Sequence, residues 1–379
     1  MRTVCLLTTL VVLSDGLNFS MEMFAFERSP RYPADRGRSK RFVTSHGLVD
    51  YYDVHYLGII GIGTPRQNFL MMMDTGSSGI WVIDQSCNTA TCNGNPRNGR
   101  SRSKYNPAWS YTFRFIARNF STGYASGGVS GYEAEDSIHV GGVTVTGQRI
   151  GVATHVDNGW ATSPIDGIFG LGWPIAGAVA APMQNVINAL DSPLFTIWMN
   201  RIIYPVSRGQ SAGVITYGAV DNINCRPYWV YVPMTRPSMW EVPLQGFRIG
   251  SYSITGSYKV LVDSGSSRMG VPNSVLNAIV QQTSARWNNQ HNGHTVNCAT
   301  IRTQPIIHYS IEGIDYTLPS DQYVVDTNMG NNECLLAFYG TTGLGLYTEW
   351  ILGMPWFRAY CNLFDFGNRR VGFSVAIPR

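Results

Sequence analysis

The sequence carries little charge. Only 14% of its 379 residues are Asp, Glu, Lys or Arg, which is low for a soluble cytosolic protein and common in secreted β proteins. Long amphipathic helical patterns are scarce too, which argues against a helical fold. No aromatic-basic stripe is present, so a nucleic-acid partner is not expected. Past the N-terminus there is no candidate transmembrane run, so no membrane is expected. The seven His show no metal spacing. His291 and His294 sit in a polar, Asn-rich loop and read as solvated. No cofactor or metal is implied.

What the chain does have points to β structure. It is 44% hydrophobic and 12% aromatic, with forty Gly and nineteen Pro. Val, Ile, Thr and Tyr are plentiful, so many short strands joined by turns are expected. Helix-like spacing occurs only at Met183 to Leu190 and Val275 to Thr283. The length suffices for two domains of ordinary size.

The formal charge of +4 is unevenly placed. Six basic residues and one acid lie between Arg28 and Arg41, and removal of everything through Arg41 leaves +1. Before this segment, Arg2 and the apolar stretch Val4 to Leu13 resemble a secretory signal, too short to span a bilayer. An N-terminal anchor is the competing reading. The expected organisation is a signal over 1–18 and a basic propeptide over 19–41. The propeptide ends in Arg38-Ser39-Lys40-Arg41, a dibasic cleavage pattern; a retained basic linker is the alternative. Removal of the signal takes Cys5 and leaves six Cys. An even number in a secreted chain suggests three disulfides. Cys87 and Cys92 flank a four-residue loop and are expected to pair locally. Zinc is a poor alternative there, because no second Cys pair or His cluster stands nearby.

An internal repeat outweighs any single motif. Residues 70–82 read Leu-Met-Met-Met-Asp-Thr-Gly-Ser-Ser-Gly-Ile-Trp-Val, and residues 260–272 read Val-Leu-Val-Asp-Ser-Gly-Ser-Ser-Arg-Met-Gly-Val-Pro. Each is an apolar strand running into an Asp-(Thr/Ser)-Gly-Ser-Ser turn. The stretch Asp166 to Trp173 begins 92 residues after Asp74, and Trp350 to Trp356 begins 87 residues after Asp263. Two paired features in the same order imply a duplicated lobe. The junction is expected near 205–225, giving lobes over 42–215 and 216–379.

A lone Asp-x-Gly turn is usually structural. Two related by a pseudo-two-fold axis bring Asp74 and Asp263 face to face. Carboxylates about 3 Å apart cannot both ionise easily, so one proton is shared and the pair can act as base and acid. Gly lets each turn approach its partner closely, and the hydroxyls can hydrogen-bond carboxylate and backbone.

From about Tyr51 onward the chain resembles the pepsin-like aspartic proteases. The resemblance rests on Gly61-Ile62-Gly63-Thr64-Pro65, both Asp turns, and both hydrophobic-hydrophobic-Gly elements. It implies a mostly β, bilobal fold, with two pseudo-two-fold-related β lobes and a cleft between them. It implies an endopeptidase in which Asp74 and Asp263 activate a water against the peptide carbonyl. By the same resemblance, Thr75 and Ser264 cross-brace the turns, and Ser77 and Ser266 bond the outer carboxylate oxygens. Gly76 and Gly265 permit the close approach. Ile168-Phe169-Gly170 and Ile351-Leu352-Gly353 pack behind the Asp loops. Tyr124 to Gly131 fits the family's flap, with Ser126 near its tip and Tyr124 bonding toward Trp81. Ile165 and Ile168 are candidate walls of an apolar pocket.

The resemblance also pairs Cys298 with Cys334, which leaves Cys225 for Cys361. Polypeptide substrates, pepstatin-like inhibitors and a monomer follow. The secretory route fits an extracellular or digestive lumen and a lysosome-like compartment equally well. Asn119-Phe120-Ser121 is a glycosylation sequon; Asn18-Phe19-Ser20 leaves with the N-terminal segments. Three departures stand out: Ser264 and Ser266 where the family often has Thr, Ala125 at a flap Gly, and Arg268 just past the second turn. A non-catalytic homologue normally loses an Asp, and a two-carboxylate glycosidase needs unlike surroundings for its acids. Neither pattern is seen here.

Overall fold

A computed structural model describes residues 43–51, 55–94, 100–175, 179–200, 210–289, 292–327, 331–346 and 348–378. The expected signal, the basic segment, the Asn18 sequon and His291 lie outside the described residues.

The fold is built from β-strands in three sheets, and the largest has thirteen strands. Six of its strands join the two halves of the chain. In order these are Val230–Pro233, Arg370–Val375, Tyr360–Asp365, Leu194–Met199, Gln210–Tyr217 and Thr44–Tyr51. The two central strands come one from each half. They pair antiparallel, with Phe195 opposite Phe364. An aromatic cluster fills the space beside this seam. Phe195 stacks on Phe364 with centroids 4.8 Å apart, and Trp173 from the first half packs 5.2 Å from Trp240 and 4.6 Å from Phe366 of the second. Trp240 is fully buried and donates Nε1–H to the Leu171 carbonyl at 3.1 Å. Each such ring contributes about 1.5–3 kcal/mol of burial, so the halves share one core.

The Asp turns sit on matching frames. Strand Gln67–Asp74 runs parallel to Gly167–Gly170, with Met72 opposite Ile168 and Asp74 opposite Gly170. Its other neighbour is His55–Ile62. Packed on both faces, Phe69 to Met73 are all buried, which is why the sequence is a continuous apolar run there and does not alternate. Strand Ile80–Ile83 returns antiparallel to Gly167–Gly170. In the second half, Tyr252–Val262 runs parallel to Trp350–Leu352, with Leu261 opposite Ile351, and Met269–Val271 returns antiparallel. The hydrophobic-hydrophobic-Gly elements thus thread between the two arms of each Asp turn. Glycine is obligatory at their ends. A Cβ on Gly170 would lie 2.4 Å from the Ser78 carbonyl carbon, and one on Gly353 would lie 2.2 Å from the Arg268 carbonyl oxygen.

Helices are few. Asn273–Thr283 buries Val275, Ala278, Ile279 and Thr283, the spacing of one helical face. It starts two residues earlier than its apolar periodicity suggested. Pro182–Val186 continues as a 3-10 turn over Ile187–Ala189. The helix Met354–Ala359 was not foreseen, because it begins inside the second Gly element and all its residues but Ala359 are buried. Among the described residues no helix is long and apolar enough to cross a membrane.

All three expected disulfides form: Cys87–Cys92, Cys225–Cys361 and Cys298–Cys334, with Cα separations of 5.8, 5.9 and 5.0 Å. Cys225–Cys361 spans 136 positions and ties the start of the second half to its end. Chain entropy gives such a long closure a stabilisation on the order of 4–5 kcal/mol.

Candidate active site

The two turns grip each other. The Thr75 backbone N–H donates to Ser264 Oγ at 3.0 Å, and the Ser264 backbone N–H donates to Thr75 Oγ1 at 2.8 Å. Each hydroxyl then donates onward to the opposite strand: Thr75 to the Val262 carbonyl at 2.8 Å and Ser264 to the Met73 carbonyl at 2.5 Å. Thr75 and Ser264 are buried, so these bonds exchange no partner with water. The Ser at 264 preserves the bracing that a Thr would give.

Glycine at 76 and 265 lets the carboxyls meet. A Cβ on Gly76 would stand 2.6 Å from Asp263 Cγ, and one on Gly265 would stand 2.3 Å from Asp74 Oδ1. Asp74 is buried and Asp263 partly exposed. The carboxyls face each other: the same Cβ on Gly265 would also lie 3.2 Å from Asp263 Oδ1. Their donors differ. Asp74 Oδ1 accepts from the Gly76 N–H at 2.9 Å, and its Oδ2 accepts from Ser77 Oγ at 2.5 Å. Asp263 Oδ1 accepts from the Gly265 N–H at 2.8 Å. Ser266 departs from expectation: its hydroxyl donates to the Arg268 carbonyl at 2.8 Å and lies 3.4 Å from the Tyr339 hydroxyl. The chain bends back over the second turn there, so the backbone acceptor captures the proton.

Electrostatics follow this asymmetry. Burial, then the charge of Asp74, hold Asp263 well above the ordinary carboxylate range. Burial also raises Asp74, offset by Ser77, the Asp263 carboxyl and the Gly76 N–H. Both carboxyls are raised, so the two share a proton and titrate as a unit.

A hairpin brings Tyr124 within reach of the Asp74 charge. Strands Arg114–Tyr124 and Gly127–Val140 are joined by the two-residue turn Ala125-Ser126, with Tyr124 opposite Gly127. The Tyr124 hydroxyl accepts from Trp81 Nε1 at 3.0 Å. Burial and then the Asp74 charge raise its pKa, so the phenol stays neutral close to that carboxyl. Ala125 and Ser126 are exposed at the tip.

Residues 55–376 match the sequence pattern of the family described as "Eukaryotic aspartyl protease". The chain belongs to that family. It is 42% identical over 336 residues to Aspartic protease 1 of Caenorhabditis elegans, covering 88% of this chain and 85% of that protein. It is 39% identical over 335 residues to Aspartic protease 17 of the same organism, with the same coverage. Similarity to gastricsin of Homo sapiens is 30% over 364 residues, covering 93% and 89%.

Some parts of the aspartyl protease site were not legible in advance. Trp160 supports the flap from below. Its ring packs edge-on to Tyr124 at 5.4 Å and to Trp81 at 6.2 Å, and its Nε1 donates to the Gly127 carbonyl at 3.3 Å. The preceding Gly159 leaves no room for a side chain, since a Cβ would fall 1.6 Å from the Ser126 carbonyl oxygen. Asp166 takes both Nη groups of Arg100 at 2.6–2.7 Å and the backbone N–H of Leu70 and of Ser103, each at 2.8 Å. It thereby fixes the strand that delivers Asp74. Its place just before the first Gly element was the available signal; Arg100 and Trp160 gave none. Ile165 and Ile168 were expected as pocket walls. Both have no exposed surface and back Trp81 within the apolar cluster under the flap. A surface hollow lined by Pro65, Arg66, Phe69, Lys104 and Trp109 contains none of the site residues, and Lys104 is turned to the Cys87 carbonyl at 2.6 Å. Asn119 is exposed beside the flap hairpin's bulge.

Proposed function

We propose that this chain is a secreted aspartic endopeptidase that hydrolyses peptide bonds of polypeptides at acidic pH, through a water activated between Asp74 and Asp263. The observation that carries the reading is the reciprocal bracing of Thr75 and Ser264, which sets two carboxyls with unlike donors face to face. Asp74, with its two donors, is the ionised member. It takes a proton from the water as the water oxygen attacks the peptide carbonyl carbon. Asp263 gives its proton to the carbonyl oxygen. Asp74 then passes that proton to the leaving nitrogen as the C–N bond breaks, and a hydroxyl of the tetrahedral intermediate gives its proton to Asp263, which restores the starting pair. Such sharing is established for aspartic proteases as a class. Tyr124 and the flap exclude bulk water, which strengthens every charge interaction beneath them.

Acidic operation is supported by the raised Asp263. Activity requires its proton and falls as pH rises through its pKa. The leader and basic propeptide read over 1–18 and 19–41 support a secretory route, with the lobes over 42–215 and 216–379 forming the mature enzyme. Asn119 is its glycosylation acceptor. Polypeptides are the substrates, pepstatin-like compounds the inhibitors, and the monomer the working unit.

The test is cleavage of a denatured protein at acidic pH with and without pepstatin, alongside Asp74→Asn. Pepstatin-sensitive cleavage that Asp74→Asn abolishes, with its circular dichroism unchanged, is expected. Undiminished cleavage by Asp74→Asn would overturn the reading.

A further inference from the structure

The repeat gains a charge at one of the positions where its two copies differ beside the site. Five residues after Asp74 stands Gly79; five residues after Asp263 stands Arg268. The second half thus places a guanidinium where the first half has no side chain. The backbone holding it is fixed, because the Arg268 carbonyl accepts from Ser266 Oγ at 2.8 Å and the Met269 N–H donates to the Ala337 carbonyl at 2.9 Å.

The side chain is half-buried. Its Nη1 donates to the Asn292 carbonyl at 3.3 Å, and a Cβ on Gly293 would lie 3.1 Å from the same nitrogen. Among the described residues, no carboxylate lies within ion-pair distance of it, whereas Arg100, Arg114, Arg118, Arg149, Arg236, Arg248 and Arg370 all have one. A partly desolvated cation without a counter-charge is unfavourable, and a carboxylate ligand would relieve that cost.

The second group of the cluster is Tyr339. Its hydroxyl is 3.4 Å from Ser266 Oγ. It feels the charges of Asp263 and Arg268, and burial raises its pKa to about 12. It is therefore a neutral hydroxyl, beside Ser266 and within reach of the charges of both Arg268 and Asp263. A planar guanidinium fork and a phenol O–H are complementary to a carboxylate, which accepts several hydrogen bonds at once.

We propose that Arg268 and Tyr339 form a cationic subsite on the Asp263 side of the cleft that takes an acidic side chain of the polypeptide substrate. The proposal rests on the endopeptidase reading above and adds a substrate class to it.

The test uses the full chain, processed to its active form, and three sets of otherwise neutral peptides. Each set moves one residue (Glu, Gln or cysteic acid) through the positions flanking the scissile bond. Cysteic acid keeps its charge at acidic pH, and the Glu and Gln sets are compared at the highest pH that supports cleavage. At one position Glu and cysteic acid are expected to exceed Gln in kcat/KM by about tenfold, the value of a charge-assisted hydrogen bond. Arg268→Gln should abolish that ratio while leaving cleavage of the Gln peptide within about twofold, which also shows that the variant is folded. Arg268→Glu should reverse the preference toward a Lys peptide, and Tyr339→Phe should weaken the ratio without removing it. Equal rates for all three sets, or a ratio unaltered in Arg268→Gln, overturn the subsite and leave the endopeptidase reading intact. Absence of cleavage of every peptide overturns both.

Discussion

Thr75 and Ser264 each donate a backbone N–H to the other's hydroxyl, at 3.0 and 2.8 Å, although 189 positions separate them. Neither hydroxyl is spare, because each also donates to a buried carbonyl on the opposite strand. Thr75→Val removes one oxygen and leaves two buried groups without partners: the Ser264 N–H and the Val262 carbonyl. Each such orphan costs about 1–3 kcal/mol. Denaturant unfolding should show a loss of about 2–6 kcal/mol, with kcat reduced as the carboxyls separate. Thr75→Ser keeps the oxygen and should restore most of both quantities. Equal midpoints for Thr75→Val and Thr75→Ser would show that the bracing is not what joins the turns.

The two Ser after the turns look equivalent in sequence and are not equivalent in space. Ser77 donates to Asp74, whereas Ser266 donates to the Arg268 carbonyl. A donor to the ionised form holds a carboxyl's pKa down. Its removal in Ser77→Ala therefore raises the Asp74 value, and the acid limb of the kcat/KM profile moves to higher pH. Ser266→Ala should leave that limb in place. A pH–rate series on both variants decides it, and a common shift in both would contradict the asymmetry.

Gly76 and Gly265 can be separated from merely flexible glycines. A Cβ at either would press into the opposing carboxyl, at 2.6 and 2.3 Å, while Gly123 in the flap strand has open space around it. Displacing a reacting group by about 1 Å can cost roughly 100-fold in rate. Gly76→Ala and Gly265→Ala should each lose at least about that factor in kcat. Gly123→Ala should stay within about twofold of the parent. Steady-state kinetics on the three variants is the measurement. Near-normal turnover by Gly265→Ala would mean that the carboxyls are not in contact.

The site was readable to the extent that it is local and repeated. Asp74, Asp263 and their hydroxyls announce themselves because a strand-turn signature occurs twice, and the pairing of Cys298 with Cys334 came with the resemblance. What stayed hidden depends on chain segments meeting from afar. Trp160 reaches the flap only through the fold, and nothing in the sequence near Asn158–Trp160 marks it. Ser266 carries the same motif letter as Ser77, yet the backbone path past it supplies a competing acceptor. Ile165 and Ile168 are apolar enough to line a pocket, and in the fold they join Trp81 and Trp160 in one buried cluster. Local pattern fixes which groups arrive; tertiary packing decides which partner each one chooses.

The pH dependence of folding carries two opposed signs. His46 and His55 lie on neighbouring strands, Thr44–Tyr51 and His55–Ile62. Burial lowers both to about 4 from the ordinary 6.5, partly offset for His46 by the Ile59 backbone. The unfolded chain then takes up these protons before the folded one does. Stability from the neutral rings is present above the unfolded value and is lost as pH falls from 6.5 through about 4. Asp263 acts oppositely: its raised pKa means that the folded state keeps a proton that the unfolded state has released, so its contribution grows as pH falls. Replacing both rings, in His46→Gln with His55→Gln, removes the first effect alone. Unfolding free energies of the double variant should fall less steeply than those of the parent between pH 6.5 and about 4. Parallel curves for the two proteins across that window would show that the rings do not hold their protons off in the folded state.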